Sequence, residues 1–207
     1  MCWSATADLV AGTAVAAGLV CVARVRRARD LAVAALPLLL GVHQLVEAAV
    51  WDSGGGCSPA ATAWAVIALP LLPVWVPVAV LLAAAVGARR RLWPSAAVGF
   101  ATAAVLSYAL AAGPVTTEIR GRTIGYGVNV PWMPLVLTGY LFATLGALLL
   151  GGDRRLRTLG VVLAAGALAC SALWRLEFAS TWCAFAAVAS LLVLDWARGR
   201  EPAAVVR

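Results

Sequence analysis

Seven apolar runs, each long enough to cross a lipid bilayer, dominate this 207-residue chain. A membrane-spanning helix needs about 20 predominantly apolar residues. The mean hydropathy is +0.94 and only 12% of the residues are charged, whereas a soluble domain carries about 25% charged residues. The runs cover residues 5–23, 31–51, 59–87, 95–112, 131–150, 159–174 and 181–196. The pattern predicts an all-α, polytopic membrane protein in which residues 1–207 form a single domain, a bundle of seven transmembrane helices.

The basic residues indicate how the bundle is oriented. All 16 are arginines, and 13 of them lie in the connections after the first, third and fifth runs and in the C-terminal tail. Because basic residues accumulate on cytoplasmic loops, we expect the N-terminus outside, the C-terminus in the cytoplasm, and the protein in the cell membrane. The net charge of +7 is thus a topology signal and does not indicate binding to nucleic acid.

Prolines and polar connections predict where the helices are interrupted. Pro37 should kink the second run, and three prolines between residues 70 and 77 should tilt or break the third. We expect Arg89–Arg91 to close the third run. The polar segment 113–129 contains three glycines in its second half and is predicted to be a flexible loop.

The most unusual polar residues lie within the second run. His43, the single histidine, Glu47 and Trp51 are spaced i, i+4, i+8 and so share one face of a helix. An acid at the centre of a membrane helix costs roughly 2.5–3.5 kcal/mol on insertion scales, and such residues are functional by default. In an apolar pocket the carboxyl group loses solvation of its charged form, so it could hold a proton at neutral pH.

The predicted topology brings further polar and aromatic residues to the same outer side of the membrane. Six of the nine tryptophans fall there, which favours an aromatic-lined cavity. The candidate catalytic residues are Glu47, Asp8 and His43. The candidate substrate-binding residues are Gln44, Trp3, Trp51, Tyr108, Trp182, Arg175 and Glu177.

Each of these residues also has a structural interpretation. His43 could be an interhelical hydrogen-bonding residue, and Glu47 could pair with Arg175 or His43. Asp8 lies in the first turn of its helix, where an acid is favoured by the helix dipole. Arg175 and Glu177 could form a solvated link, and the tryptophans could be an interfacial belt. Asp195 is expected to form a surface pair with Arg198.

Several classes of site lack their sequence motifs. The five cysteines have no metal-ligand spacing. The sequence leaves open whether two of Cys2, Cys57 and Cys183 form a disulfide. No HExxH, GxSxG or DDxxD-type run is present. We therefore expect no metal and no cofactor.

Three strings along the chain are distinctive: MCWSATA at residues 1–7, LPLLLGVHQLVE at 36–47 and TWCAF at 181–185. Together they resemble a family of small seven-helix bacterial membrane proteins. Its pattern opens MCFSA, continues with a PLLF-x-x-QQ-x-x-E-G-x-x-W-like second helix and has a WCFFA-like string in the last helix. Glu47 matches the acid of that second helix. His43 replaces the first Gln of the usual pair, and Asp8 stands where many relatives have a small residue.

Some relatives resemble integral-membrane terpene cyclases of drimentine-type indole-sesquiterpenoid pathways, where a prenylated indole is cyclised after protonation of an alkene or epoxide. The resemblance implies a metal-independent cyclase in which Glu47, with Asp8, delivers the proton. It also implies a lipophilic prenylated substrate and a prenyltransferase acting upstream. The residues themselves leave two alternatives open: a non-enzymatic carrier or sensor that binds a small lipophilic molecule or a proton, and a structural membrane subunit.

Overall fold

The structure, a computed structural model, describes residues 4–173 and 178–199. It has seven helices that are long and apolar enough to span a membrane: α1 (Ala5–Arg24), α2 (Ala28–Asp52), α3 (Pro59–Ala83), α4 (Val86–Ala112), α5 (Met133–Leu150), α6 (Arg154–Leu173) and α7 (Thr181–Arg198). Two strands, β1 (Thr116–Arg120) and β2 (Thr123–Gly127), form an antiparallel hairpin between α4 and α5. The predicted all-α, seven-helix membrane protein is confirmed.

Successive helices alternate in direction, so the bundle has two distinct ends. The start of α1, the connections α2–α3 and α4–α5, the end of α6 and the start of α7 lie at one end, which we call the hairpin end because it carries β1 and β2. The other three connections and the end of α7 lie at the opposite end, which we call the arginine-rich end. Of the 13 arginines among the described residues, 11 lie at the arginine-rich end.

Glycines allow α1 and α2 to pack closely along their length. A Cβ atom added to Gly18 would overlap the backbone of Leu38, and one added to Gly41 would overlap the backbone of Val15. Small residues at such crossings let two backbones approach within van der Waals contact. This contact sets the position of α1 along α2.

Prolines interrupt two of the helices, as the sequence predicts. In α2 the interruption lies at Ala35, after which the helix resumes as Leu36–Asp52. Pro37 has no N–H to donate to the Val33 carbonyl, so the helix cannot run through unbroken. In α3 a π-helical segment, Ile67–Leu71, separates two α-helical parts.

The π-helical segment of α3 frees a carbonyl group that another helix satisfies. The Leu72 N–H donates to the Ile67 carbonyl, five residues back. In that register the Ala68 carbonyl would accept from residue 73, which is a proline without an N–H. The hydroxyl group of Tyr140 on α5 donates to it instead, at 2.7 Å. A second π-helical segment, Phe142–Gly146, begins two residues after Tyr140, and such segments are frequent at functional sites.

Two predicted boundaries at the arginine-rich end are wrong. The third helix ends at Ala83 rather than near residue 87, and Arg89–Arg91 lie in the first turns of α4 instead of closing α3. The sixth helix begins at Arg154, five residues before the predicted start. Arginine is a good helix former whose long side chain reaches towards polar surroundings. Hydropathy therefore detects the apolar part of these helices and misses their ends.

The segment predicted to be a flexible loop is largely the β-hairpin, which is a second correction. Glu118 pairs with Gly125 in its register, and Gly121 makes the turn with φ +63°. The hairpin is tied to the α2–α3 connection, because Gly56 and Thr117 exchange two backbone hydrogen bonds of 2.7 and 3.0 Å. Five-residue strands rich in threonine and glycine are too short and polar to stand out in a hydropathy pattern.

Beneath the hairpin lies a small apolar cluster, separate from the main core of the bundle. Its buried members come from α2, α3, α7, the hairpin and the residue before it: Val50, Ala61, Trp64, Ala65, Ala68, Val115, Ile124 and Cys183. The hairpin thus closes the bundle at this end with packed side chains.

Candidate functional site

The central feature of the site is a buried polar face on α2. His43, Gln44 and Glu47, which we call the α2 polar cluster, are all 0% exposed. The amide Nε2 of Gln44 donates a hydrogen bond to Oε2 of Glu47 at 3.3 Å. Residues at i, i+1 and i+4 cover one side of a helix, and here that side faces the protein interior. The structure therefore brings these three predicted site residues together.

The hairpin supplies a second contact to the acid. The hydroxyl group of Tyr126, on β2, donates to Oε1 of Glu47 at 3.4 Å. The Tyr126 ring stacks on that of Trp64, with 3.5 Å between centroids and 6° between planes. The Trp64 ring lies 5.1 Å from the imidazole of His43. Two aromatic rings and an imidazole therefore form a continuous wall beside the carboxyl group.

Tyr126 and Trp64 are absent from the residues proposed from sequence. Tyr126 lies in the segment taken for a loop, and Trp64 was interpreted as one of the tryptophans near the predicted outer face. One signal was available: TIGYG at residues 123–127 alternates larger and smaller side chains after a Gly-containing turn, as a hairpin strand can.

Asp8 and Trp51, both predicted site residues, bind each other. The indole Nε1 of Trp51 donates to Oδ2 of Asp8 at 2.8 Å, and Asp8 is buried. Ser4 is the N-cap of α1, since its side chain accepts from the Ala7 N–H at 3.2 Å. Asp8 is therefore not the capping residue, and its hydrogen bond holds α1 against α2 one turn beyond Glu47.

The other predicted substrate-binding residues are distributed differently. Trp182 is buried on α7 and donates from Nε1 to the Leu163 carbonyl at 3.3 Å. Tyr108 is 70% exposed, so it lies on the outside of α4 and does not line the buried site. The remaining three, Trp3, Arg175 and Glu177, lie outside the described residues.

Two further sequence expectations concern residues near the ends of the bundle. Asp195 forms a surface pair, but its partner is Arg155, with 3.2 Å between Nε and Oδ2, rather than Arg198. Cys57 and Cys183 are free thiols, and Cys2 lies outside the described residues. Among the residues that the structure describes, no group of three His, Cys, Asp or Glu side chains could hold a metal ion.

An apolar cavity of about 50 Å³ lies inside the bundle, between α2, α3, α5, α6 and α7. We call it the inner cavity. Its lining includes Leu36 and Leu40 from α2, Tyr140 from α5, and Trp182 and Cys183 from α7. The cavity therefore lies along the part of α2 that precedes the α2 polar cluster, towards the arginine-rich end.

A second cavity, of about 130 Å³, lies on the other side of the aromatic wall. We call it the aromatic cavity, because Trp64, Tyr126 and Tyr140 line it together with aliphatic side chains. Tyr140 lines both cavities and separates them.

The surface facing lipid carries an apolar groove of about 520 Å³ between α5 and α6, next to both cavities. Leu137 lines the groove and the aromatic cavity, and Leu145 lines the groove and the inner cavity. Leu145 belongs to the π-helical segment of α5. Leu137 and Leu145 of α5 thus lie between a lipid-side groove and the two cavities.

Comparison with known proteins places the whole chain in one family. The family described as "Family of unknown function (DUF6629)" matches residues 1–207. No curated protein and no solved structure matches the chain. Because the match covers every residue of the chain, the protein belongs to this family of unknown function, DUF6629.

Proposed function

We propose that the protein is an integral-membrane terpene cyclase that starts the cyclisation of a prenylated, indole-like substrate by protonating it with Glu47. The observation that carries the proposal is the fully buried carboxyl group of Glu47 beside the stacked rings of Trp64 and Tyr126, which line an apolar cavity. Burial penalises the charge of this carboxyl group, and its two hydrogen-bond donors stabilise it. Such a balance suits a group that gives up and regains a proton.

The proposed reaction is an isomerisation. The O–H bond of protonated Glu47 breaks as the proton joins a terminal alkene or epoxide of the substrate. The resulting cation is attacked by the next double bond, and the last cation loses a proton to a carboxylate. No diphosphate leaves, so the step requires no metal ion and no cofactor.

The aromatic wall supports the carbocation steps of this reaction. Each ring face stabilises a nearby cation by about 0.5–2 kcal/mol, and the stacked Trp64 and Tyr126 lie directly beside the acid. The tie between Trp51 and Asp8 places a second buried carboxyl group one turn away. In this proposal Asp8 assists Glu47, and His43 and Gln44 set its orientation and protonation.

Access for a lipophilic substrate is supported by the groove between α5 and α6. A prenyl chain dissolved in the bilayer would enter past Leu145 and Leu137, the side chains between the groove and the two cavities. The substrate would come from a prenyltransferase earlier in the pathway. The arginine distribution supports a cell-membrane protein with its hairpin end outside and its C-terminus in the cytoplasm.

One observation favours a second candidate function, a non-enzymatic carrier or sensor. The two cavities, about 50 and 130 Å³, are smaller than the roughly 300–1,000 Å³ of sites for drug-sized ligands. A prenylated indole therefore requires the cavities to join, for example by movement of Tyr140. A small lipophilic molecule or a proton requires no such change.

The decisive experiment measures cyclisation of a farnesylated indole by membranes that contain the wild-type protein or Glu47→Gln. General acid catalysis contributes typically 10²–10⁴-fold to a rate, so we expect product formation to fall by at least about 100-fold. The matched control is Glu118→Gln, because Glu118 is an exposed hairpin residue that forms an ion pair with Arg120. Equal product from wild type and Glu47→Gln would rule out the acid role.

A parallel measurement tests the carrier. Vesicles that contain the wild-type protein are assayed for proton flux with and without a small isoprenoid. Flux that depends on Glu47, in the absence of any cyclised product, would favour the carrier over the cyclase.

A further inference from the structure

Glu47, the proposed acid, is separated from the space that a substrate could occupy. It is 0% exposed, and it is not among the described residues that line the inner cavity or the aromatic cavity. A general acid must come within hydrogen-bond reach of the atom that it protonates, directly or through one water molecule. The geometry therefore requires a group that connects this carboxyl group with a cavity.

Tyr126 on the hairpin has the two contacts that such a group needs. Its hydroxyl group lies 3.4 Å from Oε1 of Glu47, and its side chain lines the aromatic cavity. A phenol hydroxyl group both donates and accepts hydrogen bonds, so it can take up one proton while it gives up another. The contact is long for two oxygens, but catalytic hydrogen bonds often tighten only when the substrate binds.

The amide group of Gln44 determines which oxygen of Glu47 carries the proton. Nε2 of Gln44 donates to Oε2 of Glu47 at 3.3 Å, and an amide nitrogen has only donors. Oε2 is therefore an acceptor, and the hydrogen of the protonated acid lies on Oε1, the oxygen that contacts Tyr126. When Glu47 donates to the Tyr126 oxygen, the hydrogen of the Tyr126 hydroxyl group turns away from Glu47 and can be given to a substrate.

We infer that Tyr126 is a catalytic residue that transfers the proton between Glu47 and the reacting end of the substrate, and that this end binds in the aromatic cavity. The inference rests on the proposed function, in which Glu47 is the source of the proton. The cavity, at about 130 Å³, is smaller than the site of a whole drug-sized ligand. It therefore receives one end of the prenyl chain, entering past Leu137, which lines both the cavity and the lipid-side groove.

Two protons move together in the first step of this relay. The Tyr126 O–H bond breaks as its proton joins the terminal alkene or epoxide, while the Glu47 O–H bond breaks and its proton joins the Tyr126 oxygen. The products are a substrate cation, a neutral tyrosine and a carboxylate. In the last step the final cation gives a proton to the Tyr126 oxygen, and Tyr126 passes its own proton to Glu47, which restores the starting state.

The first test measures single-turnover cyclisation of a farnesylated indole by the protein in lipid nanodiscs. Tyr126→Phe removes only the hydroxyl group and keeps the ring that stacks on Trp64. General acid–base catalysis contributes typically 10²–10⁴-fold to a rate, so we expect the rate to fall by at least about 100-fold with the half-saturating substrate concentration unchanged. The matched control is Tyr108→Phe, because Tyr108 is an exposed tyrosine on α4, and it should react at the wild-type rate.

A second measurement uses the wild type and so does not depend on how a variant folds. The single-turnover rate is measured in mixtures of H₂O and D₂O. Transfer of two protons in one step makes the rate a curved function of the deuterium fraction, whereas direct protonation by Glu47 makes it a straight line. We expect a curve, which a hydroxyl group that only positions Glu47 would not produce. A straight line, or equal rates in both solvents, would overturn the inference.

Glu47→Gln in the same assay separates failure of the relay from failure of the proposed function. Loss of product in Glu47→Gln with a wild-type rate in Tyr126→Phe would overturn the relay and leave the acid role of Glu47 standing. Wild-type rates in both variants would reject the relay and the proposed function together. Loss of product in both variants, with a curved plot for the wild type, is the result that the inference predicts.

Discussion

The two ends of the bundle use the same pair of residues in different surroundings. At each end an indole N–H donates to an aspartate 43 positions away, from Trp51 to Asp8 at 2.8 Å and from Trp196 to Asp153 at 3.1 Å. Asp153 also caps the N-terminus of α6, because its Oδ1 accepts from the Arg155 N–H at 2.9 Å. Asp8 does not cap a helix, because Ser4 is the N-cap of α1.

The difference shows which acidic side chains are explained by a local structural role, such as capping a helix. At the arginine-rich end Asp153 caps a helix and Asp195 forms an exposed pair with Arg155. Asp30 is also buried there, but it lies in the first turn of α2, where the helix dipole favours an acid. At the hairpin end Glu47 and Asp8 are fully buried within membrane-length helices. Burying such groups is costly, and local rules are broken mainly at functional sites. The comparison therefore favours the hairpin end as the working end of the molecule.

Charge reversal should separate the two ends most strongly. Glu47→Arg places a cation in a fully buried position from which its side chain cannot reach water, at a cost of roughly 2.5–3.5 kcal/mol or more. Asp195→Arg changes a side chain that is 60% exposed, where loss of an ion pair costs about 0–1 kcal/mol. We expect little folded Glu47→Arg and nearly normal Asp195→Arg, measured as the monodisperse fraction after extraction in one detergent. Similar yields for both variants would contradict the comparison.

A smaller effect is expected from adding one methyl group at each end. A Cβ on Gly41 overlaps the backbone of Val15 in the α1–α2 contact, so Gly41→Ala should lower the free energy of unfolding by about 1–3 kcal/mol. Gly87, in the first turn of α4, has open space around it. Gly87→Ala should change stability by no more than about 1 kcal/mol, in the stabilising direction. Unfolding by a denaturing detergent measures both, and equal losses would show that the close contact of α1 with α2 is not tightly packed.

The smallest effect concerns the attachment of the hairpin. The Thr117 hydroxyl group donates to the Gly56 carbonyl at 2.9 Å, so Thr117→Val should cost about 0.5–1.5 kcal/mol. It should also speed maleimide labelling of buried Cys183 beneath the hairpin, with exposed Cys57 as the internal reference.

The matched control for the hairpin is Thr158→Val. Thr158 is an exposed residue of α6 whose hydroxyl group bonds to the Arg154 carbonyl of its own helix. We expect no change in stability or in Cys183 labelling. Equal labelling rates in wild type and Thr117→Val would mean that the hairpin does not protect the site.

Local properties of the chain account for what sequence analysis found at the site. Glu47 was found because a charge within an apolar run is conspicuous without any partner, and His43 followed from helical spacing. Tyr126 and Trp64 were missed because their roles depend on contacts between distant segments, the hairpin with α2 and α3. Tyr108 was included because its predicted depth in the membrane was right for a site, but depth does not reveal which way a side chain faces.

Sequence alone determined the number of helices, their approximate positions, the interruptions in α2 and α3, and the acid at the centre of the site. These features depend on the hydropathy and backbone chemistry of residues that are close together in the sequence. Tertiary structure decided that Trp51 binds Asp8, that the Tyr126 hydroxyl group donates to Glu47, and that Trp64 and Tyr126 line an apolar cavity. Those features depend on how each helix is rotated and on the close contacts that Gly18 and Gly41 make possible. The packing of the whole bundle determines both.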